Sequence, residues 1–283
     1  MKLRKAIVTA ASPSERALPL QTLVDRDGQA KSALQIVIEE AVSTGVQDIC
    51  LVICPGDQHA FTQAAGNHAG RLHFVEQDAP RGYGHALYCA RHFASGEPFL
   101  HLVSDHLYLN RSTHRCADQL VRIAEAESCA VSAVQPTRES SLPYYGAVGC
   151  RRVPKHDDLY LVENVIEKPT PTEAEQSLIV PGLRGGYYLC FFGMHVLTPT
   201  IFDLLGQLLQ RNSDKRVTLS DALSQLAQKE RYLAYQVQGQ RYNIGVKYGL
   251  LMAQLALTLA GSDREEILSQ LVELLAQRQQ LNT

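Results

Sequence analysis

The sequence lacks long hydrophobic runs and a strong charge of either sign. None of its apolar spans approaches the ~18–20 residues needed to cross a bilayer, and the apolar stretch near the N-terminus is too short for a signal peptide. The net charge of −2 over 283 residues excludes an electrostatic preference for nucleic acid or for an anionic membrane. We therefore expect a cytoplasmic protein with no nucleic-acid partner and no membrane partner.

Paired cysteines and several common catalytic motifs are also missing. The seven cysteines are an odd number, form no CxxC pair and lie mostly in apolar runs, which favours buried thiols over a zinc site or a disulfide framework. There is no GxxxxGK[ST] loop, no HExxH helix and no Ser/His/Asp nucleophile motif. The ten histidines are scattered and provide no closely spaced metal-binding set. The sequence therefore offers none of the chemistries that these motifs carry.

The first hundred residues alternate short apolar strands with amphipathic helices. Strands are predicted at 6–10, 49–53, 73–76 and 99–104, and helices at 32–43, 58–65 and 86–92. Such alternation is typical of βαβ units. We therefore expect a Rossmann-like α/β fold with a mostly parallel sheet and helices on both faces.

The remainder of the chain has strands with few helices between them, which predicts antiparallel additions that make the sheet mixed. These strands are expected at 130–135, 146–150, 159–166, 187–192 and 233–238, and helices at 198–209, 220–227, 246–259 and 262–279. Because no linker is apparent, the prediction is one domain over residues 1–261, followed by a C-terminal helix over 262–283. The apolar residues of that helix would pack on their own domain or form a subunit interface.

Two loops beyond the carboxyl ends of predicted strands are candidates for a nucleotide site. Residues 10–16 follow the first strand, and their small side chains would let backbone amides approach a phosphate that Arg16 could bind. Pro13 and Glu15 argue against this, and an ordinary turn is the alternative. In the second loop, the amide of Gln77 could read the edge of a base, and two glycines flank Tyr83, although such pairs are common in structural turns.

Two further loops carry charged side chains. Asp105 ends a buried strand, where a carboxylate suits Mg²⁺ or caps a turn. Glu167 and Lys168 also end a strand and precede Pro169. Glu167 could accept hydrogen bonds from sugar hydroxyls and Lys168 could hold a phosphate, and the alternative for this pair is a surface salt bridge.

In this order, the four loops resemble those of the sugar-phosphate nucleotidylyltransferase family, and in detail the UTP–glucose-1-phosphate uridylyltransferases. The likeness extends from Lys5 to about Leu259, with anchors at residues 5–19, 34–52, 77–86, 104–105, 145–148, 167–169, 218–222 and 245–249. It implies a Rossmann-like core with an inserted antiparallel sugar-binding region. The nucleotide-binding half would then span residues 1–130 and the sugar-phosphate half residues 131–261.

The resemblance also implies a reaction and a set of site residues. A sugar-1-phosphate, glucose-1-phosphate by this likeness, would attack the α-phosphorus of a nucleoside triphosphate such as UTP, with Mg²⁺ as cofactor and pyrophosphate as leaving group. By position, the catalytic residues would be Arg16, Asp105 and Lys168, and the metal ligands Asp105 and Asn243. The nucleotide would contact Ala10, Ala11, Ser12, Arg16, Gln77 and Gly82, and the sugar phosphate Gly146, Glu167 and Lys168.

This chain departs from the family pattern around the triphosphate. Residues 12–16 read SPSER where the family reads GxGTR, the lysine of the family's following PK element has no counterpart, and Asn243 replaces a metal-binding aspartate. Arg16, Arg81 or Lys31 would have to supply the missing positive charge. The alternative to an active enzyme is a catalytically weak or inactive paralogue that binds a nucleotide sugar or sugar phosphate in a regulatory role. A homo-oligomer is left open by the sequence.

Overall fold

A computed structural model describes residues 1–211 and 216–280 of the chain. The strands are β1 (Lys5–Ala10), β2 (Thr22–Val24), β3 (Ala30–Ser32), β4 (Asp48–Ile53), β5 (Leu72–Glu76), β6 (Phe99–Val103), β7 (His106–Asn110), β8 (Ala130–Arg138), β9 (Ala147–Arg152), β10 (Leu159–Ile166), β11 (Tyr187–Leu197), β12 (Tyr232–Gln236) and β13 (Gly239–Asn243). The helices are α1 (Ala33–Val42), α2 (Gln58–Ala64), α3 (Tyr83–Cys89), α4 (Arg91–Ala94), α5 (Cys116–Glu127), α6 (Pro171–Ser177), α7 (Thr200–Arg211), α8 (Leu219–Lys229), α9 (Gly249–Leu259) and α10 (Arg264–Gln280).

Within the described residues, nine strands form one mixed sheet in the order β5–β4–β1–β6–β11–β8–β12–β10–β9. β5, β4, β1 and β6 are parallel, so their carboxyl ends lie at the same edge of the sheet. β9 and β10 are antiparallel to each other, and β11 is antiparallel to β6, β8 and β9. The predicted parallel sheet with antiparallel additions is confirmed.

The long strand β11 joins the parallel part of the sheet to the antiparallel part. Its last four residues, from Met194, pair with β6, and β8 pairs on its other side with its first five residues, from Tyr187, and with His195 and Val196. Because β11 runs antiparallel to β6, those first residues extend beyond the carboxyl end of β6. The pairing shifts around Gly193, whose φ of +89° is readily adopted only by glycine. β11 therefore forms a wall above the edge where the parallel strands end.

Helices cover both faces of the sheet, as predicted. Successive residues of β1 point to opposite sides, so Val8 packs with α1, α5 and α9 and Ile7 packs with α3, α7 and α8. All seven cysteines are free thiols and six are buried, which confirms the interpretation of their pattern. In the described part of the chain, none of the helices combines the length and apolar character required to span a membrane.

Several boundaries differ from the sequence prediction. The helix predicted over 86–92 begins at Tyr83 and is interrupted at Ala90, and the helix predicted from residue 246 begins at Gly249. The sequence prediction missed α5 and α6, and it also missed the hairpin β2–β3 and the two-stranded pair β7–β13. Strands of three to five residues and the seven-residue helix α6 carry too little periodicity to stand out from their surroundings.

The C-terminal helix α10 packs only partly on its own domain. Ile267, Leu268 and Leu271 are half-buried, whereas Val272 and Leu275 are 64% and 66% exposed. Residues 281–283, which belong to the predicted segment 262–283, lie outside the described residues. The apolar side chains that α10 exposes are compatible with the subunit interface, which stays a prediction.

Lys31 is the centre of a charge cluster that fixes the β2–β3 hairpin to α1. Its ammonium group lies 2.8 Å from Asp25, 2.8 Å from Asp27 and 2.9 Å from Glu39, and its side chain is only 11% exposed. The turn at 26–29 that joins the two strands brings Asp25 and Asp27 to one side of Lys31. Removing this cation would leave Asp25 and Asp27 without their shared counter-ion, while Glu39 would keep the longer contact with Arg115 at 3.8 Å.

We predict that Lys31→Met lowers the free energy of unfolding by about 2–3 kcal/mol. This is less than the ~3–5 kcal/mol for breaking a fully buried pair, because the Asp27 carboxylate is half-exposed. Urea denaturation at neutral pH measures the change, with Lys2→Met at an exposed position as the matched control. Equal stability of the two variants would contradict a structural role for the cluster.

Candidate functional site

A cleft of about 610 Å³ opens at the carboxyl ends of the parallel strands. Its walls come from both parts of the sheet, because residues after β1, β5 and β6 line one side and residues before β9 and after β10 line the other. Most of the sequence-predicted site residues line it, namely Ala10, Ala11, Ser12, Gln77, Gly82, Asp105, Gly146, Glu167 and Lys168. Arg16 and Asn243 are not among the described residues that line the cleft.

The first loop is a series of tight turns. The amide of Glu15 donates to the carbonyl of Ser12 (3.1 Å) and the amide of Leu18 donates to the carbonyl of Glu15 (2.9 Å). Glu15 therefore lines the cleft, while Arg16 points away from it and forms a two-pronged ion pair with Asp57. This pairing raises the pKa of Arg16. The loop thus places Glu15, and not its arginine, along the cleft.

Gln77 has one atom left for a ligand. Its amide nitrogen donates to the carbonyl of Gly82 (3.2 Å) and to Nδ1 of His85 (2.8 Å), and the side chain is buried. Burial and the nearby Arg81 lower the pKa of His85, which keeps the ring neutral and able to accept this bond. Both amide hydrogens are then occupied, so Gln77 offers only its carbonyl oxygen Oε1 as an acceptor.

The loop that follows Gln77 runs directly against the segment before α8. Gly82 has a φ of +103°, and a β-carbon at this position would lie 2.7 Å from the carbonyl oxygen of Val217. A β-carbon on Gly84 would meet the same oxygen at 3.0 Å. The amide of Gly84 donates to that oxygen, and the amide of Val217 donates to the carbonyl of Arg81. The two glycines are therefore required for this backbone contact.

Asp105 presents an ionised carboxylate to the centre of the cleft. Burial alone would raise its pKa, but the charge and hydrogen bond of His106 Nδ1 at 2.8 Å, together with Lys168, lower it below the usual range. In the described residues no group of three or more His, Cys, Asp or Glu side chains could hold a metal ion. A cation at Asp105 would therefore draw its other ligands from phosphates and water, as Mg²⁺ commonly does.

The opposite end of the cleft is built around Gly146. Ser220 donates a hydrogen bond to Oε2 of Glu167 (2.5 Å), and a β-carbon on Gly146 would lie 2.9 Å from that same oxygen. Next to this pair, Lys168 has a φ of +46°, a left-handed conformation that costs about 1–3 kcal/mol outside glycine. The packing thus holds Glu167 and Lys168 beside Gly146, where a larger residue would fill the space.

Asn243 is near Asp105 in the backbone but is not directed to the cleft. It ends β13 opposite His106, and the amide of the next residue, Ile244, donates to the carbonyl of Asp105 (2.8 Å). The side-chain oxygen of Asn243 accepts the amide of Gly245 at 2.8 Å. The predicted metal ligand is therefore used to close a turn.

The floor of the cleft is uncharged. Tyr83 donates to Nε2 of His101 (2.6 Å), and Nδ1 of His101 donates to the carbonyl of Ile7 (2.9 Å). Burial lowers the pKa of His101 to about 4 and lowers that of the adjacent His195 as well. Charges in the cleft consequently lie on its walls.

None of the three cations considered as substitutes for the missing lysine lines the cleft. Arg16 is paired with Asp57, and Lys31 is enclosed by its three carboxylates. Arg81 donates to the carbonyl of Leu209 (3.0 Å). Arg216 does line the cleft, and it was missed in the sequence because it belongs to no recognisable motif.

The fold is an α/β fold in which the loop of Gln77, the carboxylate of Asp105 and the Glu167–Lys168 pair share one cavity. The sequence model of the nucleotidyl transferase family matches residues 22–258. The chain therefore belongs to the nucleotidyl transferase family.

Individual relatives agree with this assignment. The chain is similar to UTP–glucose-1-phosphate uridylyltransferase YngB of Bacillus subtilis, with 28% identity over 96% of this chain and 94% of that protein. A UTP–glucose-1-phosphate uridylyltransferase of Streptococcus pneumoniae is 27% identical over 88% of each chain. Two solved structures at 22% identity share the fold. UDP-glucose pyrophosphorylase complexed with UDP-glucose has a TM-score of 0.75 over 90% of this chain and 98% of that one, and UTP-bound UGPase from Acinetobacter baumannii has 0.72 over 96% and 99%.

We predict that Gly82→Ala lowers the free energy of unfolding by about 2–3 kcal/mol, since the β-carbon would force both the contact with Val217 and an unfavourable φ. Gly185→Ala is the matched control, because Gly185 has no atom within 4 Å of its β-carbon position and no positive φ. Chemical denaturation of both variants measures the difference. A Gly82→Ala protein as stable as the control would show that the close approach can relax.

Proposed function

We propose that this protein transfers UMP from UTP to glucose-1-phosphate and releases pyrophosphate. The observation that carries the proposal is the convergence of Gln77, Asp105 and the Glu167–Lys168 pair on one cleft. These groups come from three separate loops, and they are the kinds of side chain needed for a base, for a phosphate-bound cation and for a sugar phosphate. The names of the relatives support the same reaction.

The amide arrangement at Gln77 supports uracil as the base. Its free acceptor Oε1 suits a base that carries a hydrogen on N3, as uracil and thymine do. Cytosine has an unprotonated acceptor nitrogen at N3, and its lone pair and that of Oε1 would repel each other across that contact. The site would therefore select the base by charge complementarity at a single buried oxygen.

The central carboxylate would hold a divalent cation, and we propose Mg²⁺. Oxygen ligands and a lowered pKa suit a hard cation, and Asp105 is one protein ligand where bound phosphates would supply others. When bound, Mg²⁺ supplies charge neutralisation at the phosphates. In this proposal, residues 1–130 form the nucleotide-binding half and residues 131–261 the sugar-phosphate half.

The protein's own residues would position the acceptor. Lys168 would bind the phosphate of the sugar-1-phosphate and Glu167, oriented by Ser220, would accept hydrogen bonds from sugar hydroxyls. A phosphate oxygen of the acceptor then attacks the α-phosphorus, the new P–O bond forms, and the bond to the β-phosphate oxygen breaks with its electrons leaving on pyrophosphate. Because no proton transfer is needed at the attacking oxygen, catalysis is positioning and charge neutralisation.

The first loop favours a second candidate, a nucleotide-sugar or sugar-phosphate binder with weak or no catalysis. Arg16 is engaged by Asp57 and Glu15 faces the cleft, so this loop offers a triphosphate less positive charge than the rest of the site offers the sugar phosphate. A nucleotide sugar carries fewer charges than a triphosphate and would depend less on this loop.

The test is pyrophosphate release from the purified protein with Mg²⁺, UTP and glucose-1-phosphate, with other nucleoside triphosphates in parallel. We expect release with UTP and little with CTP. Asp105→Asn should reduce the rate by about a hundredfold or more, because the replacement keeps the shape and removes the charge. Asp203→Asn, at an exposed residue of α7, is the control.

Two results would contradict the proposal. An Asp105→Asn protein with an unchanged rate would remove this carboxylate from the reaction. If the wild-type protein released no pyrophosphate while UDP-glucose still raised its melting temperature, the second candidate, a nucleotide-sugar binder, would be the function.

A further inference from the structure

Arg216 occupies a defined place beside the base-reading loop. It starts the segment 216–218, which pairs with residues 81–84 through the hydrogen bonds of Val217 and Gly84. Val217 is buried in the core at 1% exposure. Successive side chains of an extended backbone point to opposite sides, so Arg216 is directed away from the core and toward the cleft, which it lines. Its β-carbon lies 3.3 Å from the position of a β-carbon on Gly82.

The charge of Arg216 is not used elsewhere in the described part of the chain. No hydrogen bond or ion pair from its guanidinium is found among residues 1–211 and 216–280, and the side chain is exposed. This distinguishes it from Arg16 and Lys31, whose charges are satisfied by carboxylates. A guanidinium that lines a cleft and is exposed can bind a phosphate in a two-pronged geometry.

Two cations of the described chain line the cleft, and they would bind different phosphates because they lie beside different loops. Among the described residues that line the cleft, the lysines and arginines are Lys168 and Arg216. Lys168 lies at the sugar end, beside Glu167, and close enough to Asp105 to lower its pKa. Arg216 lies at the other end, against the loop of Gln77 and Gly82, where the nucleotide would enter.

The side of the cleft that would receive the leaving phosphates is short of positive charge. The first loop contributes Glu15 to this wall and directs Arg16 to Asp57. Pyrophosphate carries several negative charges as it leaves, and a carboxylate next to it is unfavourable unless a cation compensates. Among the described residues that line the cleft, Arg216 is the cation that is not already assigned to the acceptor.

We propose that Arg216 binds the β- and γ-phosphates of the nucleoside triphosphate and neutralises pyrophosphate as it leaves. This inference rests on the proposed nucleotidyl transfer and deepens it. Arg216 donates hydrogen bonds throughout and exchanges no proton, while the electrons of the breaking P–O bond stay on the pyrophosphate oxygen. It thereby supplies the positive charge of the PK-element lysine that has no counterpart in this chain.

The test compares binding of UTP and UMP by calorimetry in wild type, Arg216→Gln and Arg216→Lys. Arg216→Gln should weaken UTP binding by about tenfold or more, as expected for loss of a charge-assisted contact, and leave UMP binding unchanged. Arg216→Lys should recover part of the loss. Raising the salt concentration should weaken UTP binding by wild type more than by Arg216→Gln. Arg71→Gln, at an exposed arginine outside the cleft, is the control.

The outcomes separate this inference from the proposed reaction. Equal loss of UTP and UMP affinity would place Arg216 at the base or ribose and overturn the inference. Unchanged UTP affinity in Arg216→Gln would also overturn it, even if wild type releases pyrophosphate. A UTP affinity that depends on Arg216 without any pyrophosphate release would support the inference and overturn the proposed reaction. A wild-type protein that does not bind UTP would overturn both.

Discussion

The cleft depends on one backbone contact, the close approach of residues 81–84 to residues 216–218. No side chain separates the two segments, since a β-carbon on Gly82 or Gly84 would overlap the carbonyl oxygen of Val217. This contact holds the loop of Gln77 against the start of α8, and α8 in turn supplies Ser220 to Glu167. The two ends of the cleft are therefore connected through one helix.

Charge is distributed unequally along the cleft. The sugar end has a carboxylate oriented by Ser220 and a lysine whose backbone is held at a positive φ, both features of a site organised before its ligand binds. At the triphosphate end, the first loop offers Glu15, and its arginine is bound to Asp57. The neutral floor of buried histidine and tyrosine leaves the wall charges to set the preference of the site.

Much of the fold could be predicted from the sequence because its signals are local. The buried strands near Ile7 and Ile49 read as continuous apolar runs, and the helix that begins after Ser32 has both helical spacing and a side-chain cap. The order of the four loops was sufficient to indicate the family. Short elements such as β7 and β13 could not be predicted, because their pairing with each other depends on residues more than a hundred positions apart.

The candidate site also has features that the sequence could predict and features that it could not. The sequence alone determined which chemical groups are present at the strand ends. Gln77 and Asp105 meet because they follow parallel strands that end at one edge, whereas Glu167 and Lys168 follow the antiparallel strand β10. Only the tertiary structure decided which of those groups are available to a ligand. Arg16 and Lys31 are turned to carboxylates, Asn243 closes a turn, and Arg216 reaches the cleft through pairing with a distant loop. The availability of a charge depends on its partners in space, and partners that are far apart in the sequence leave no local pattern in it.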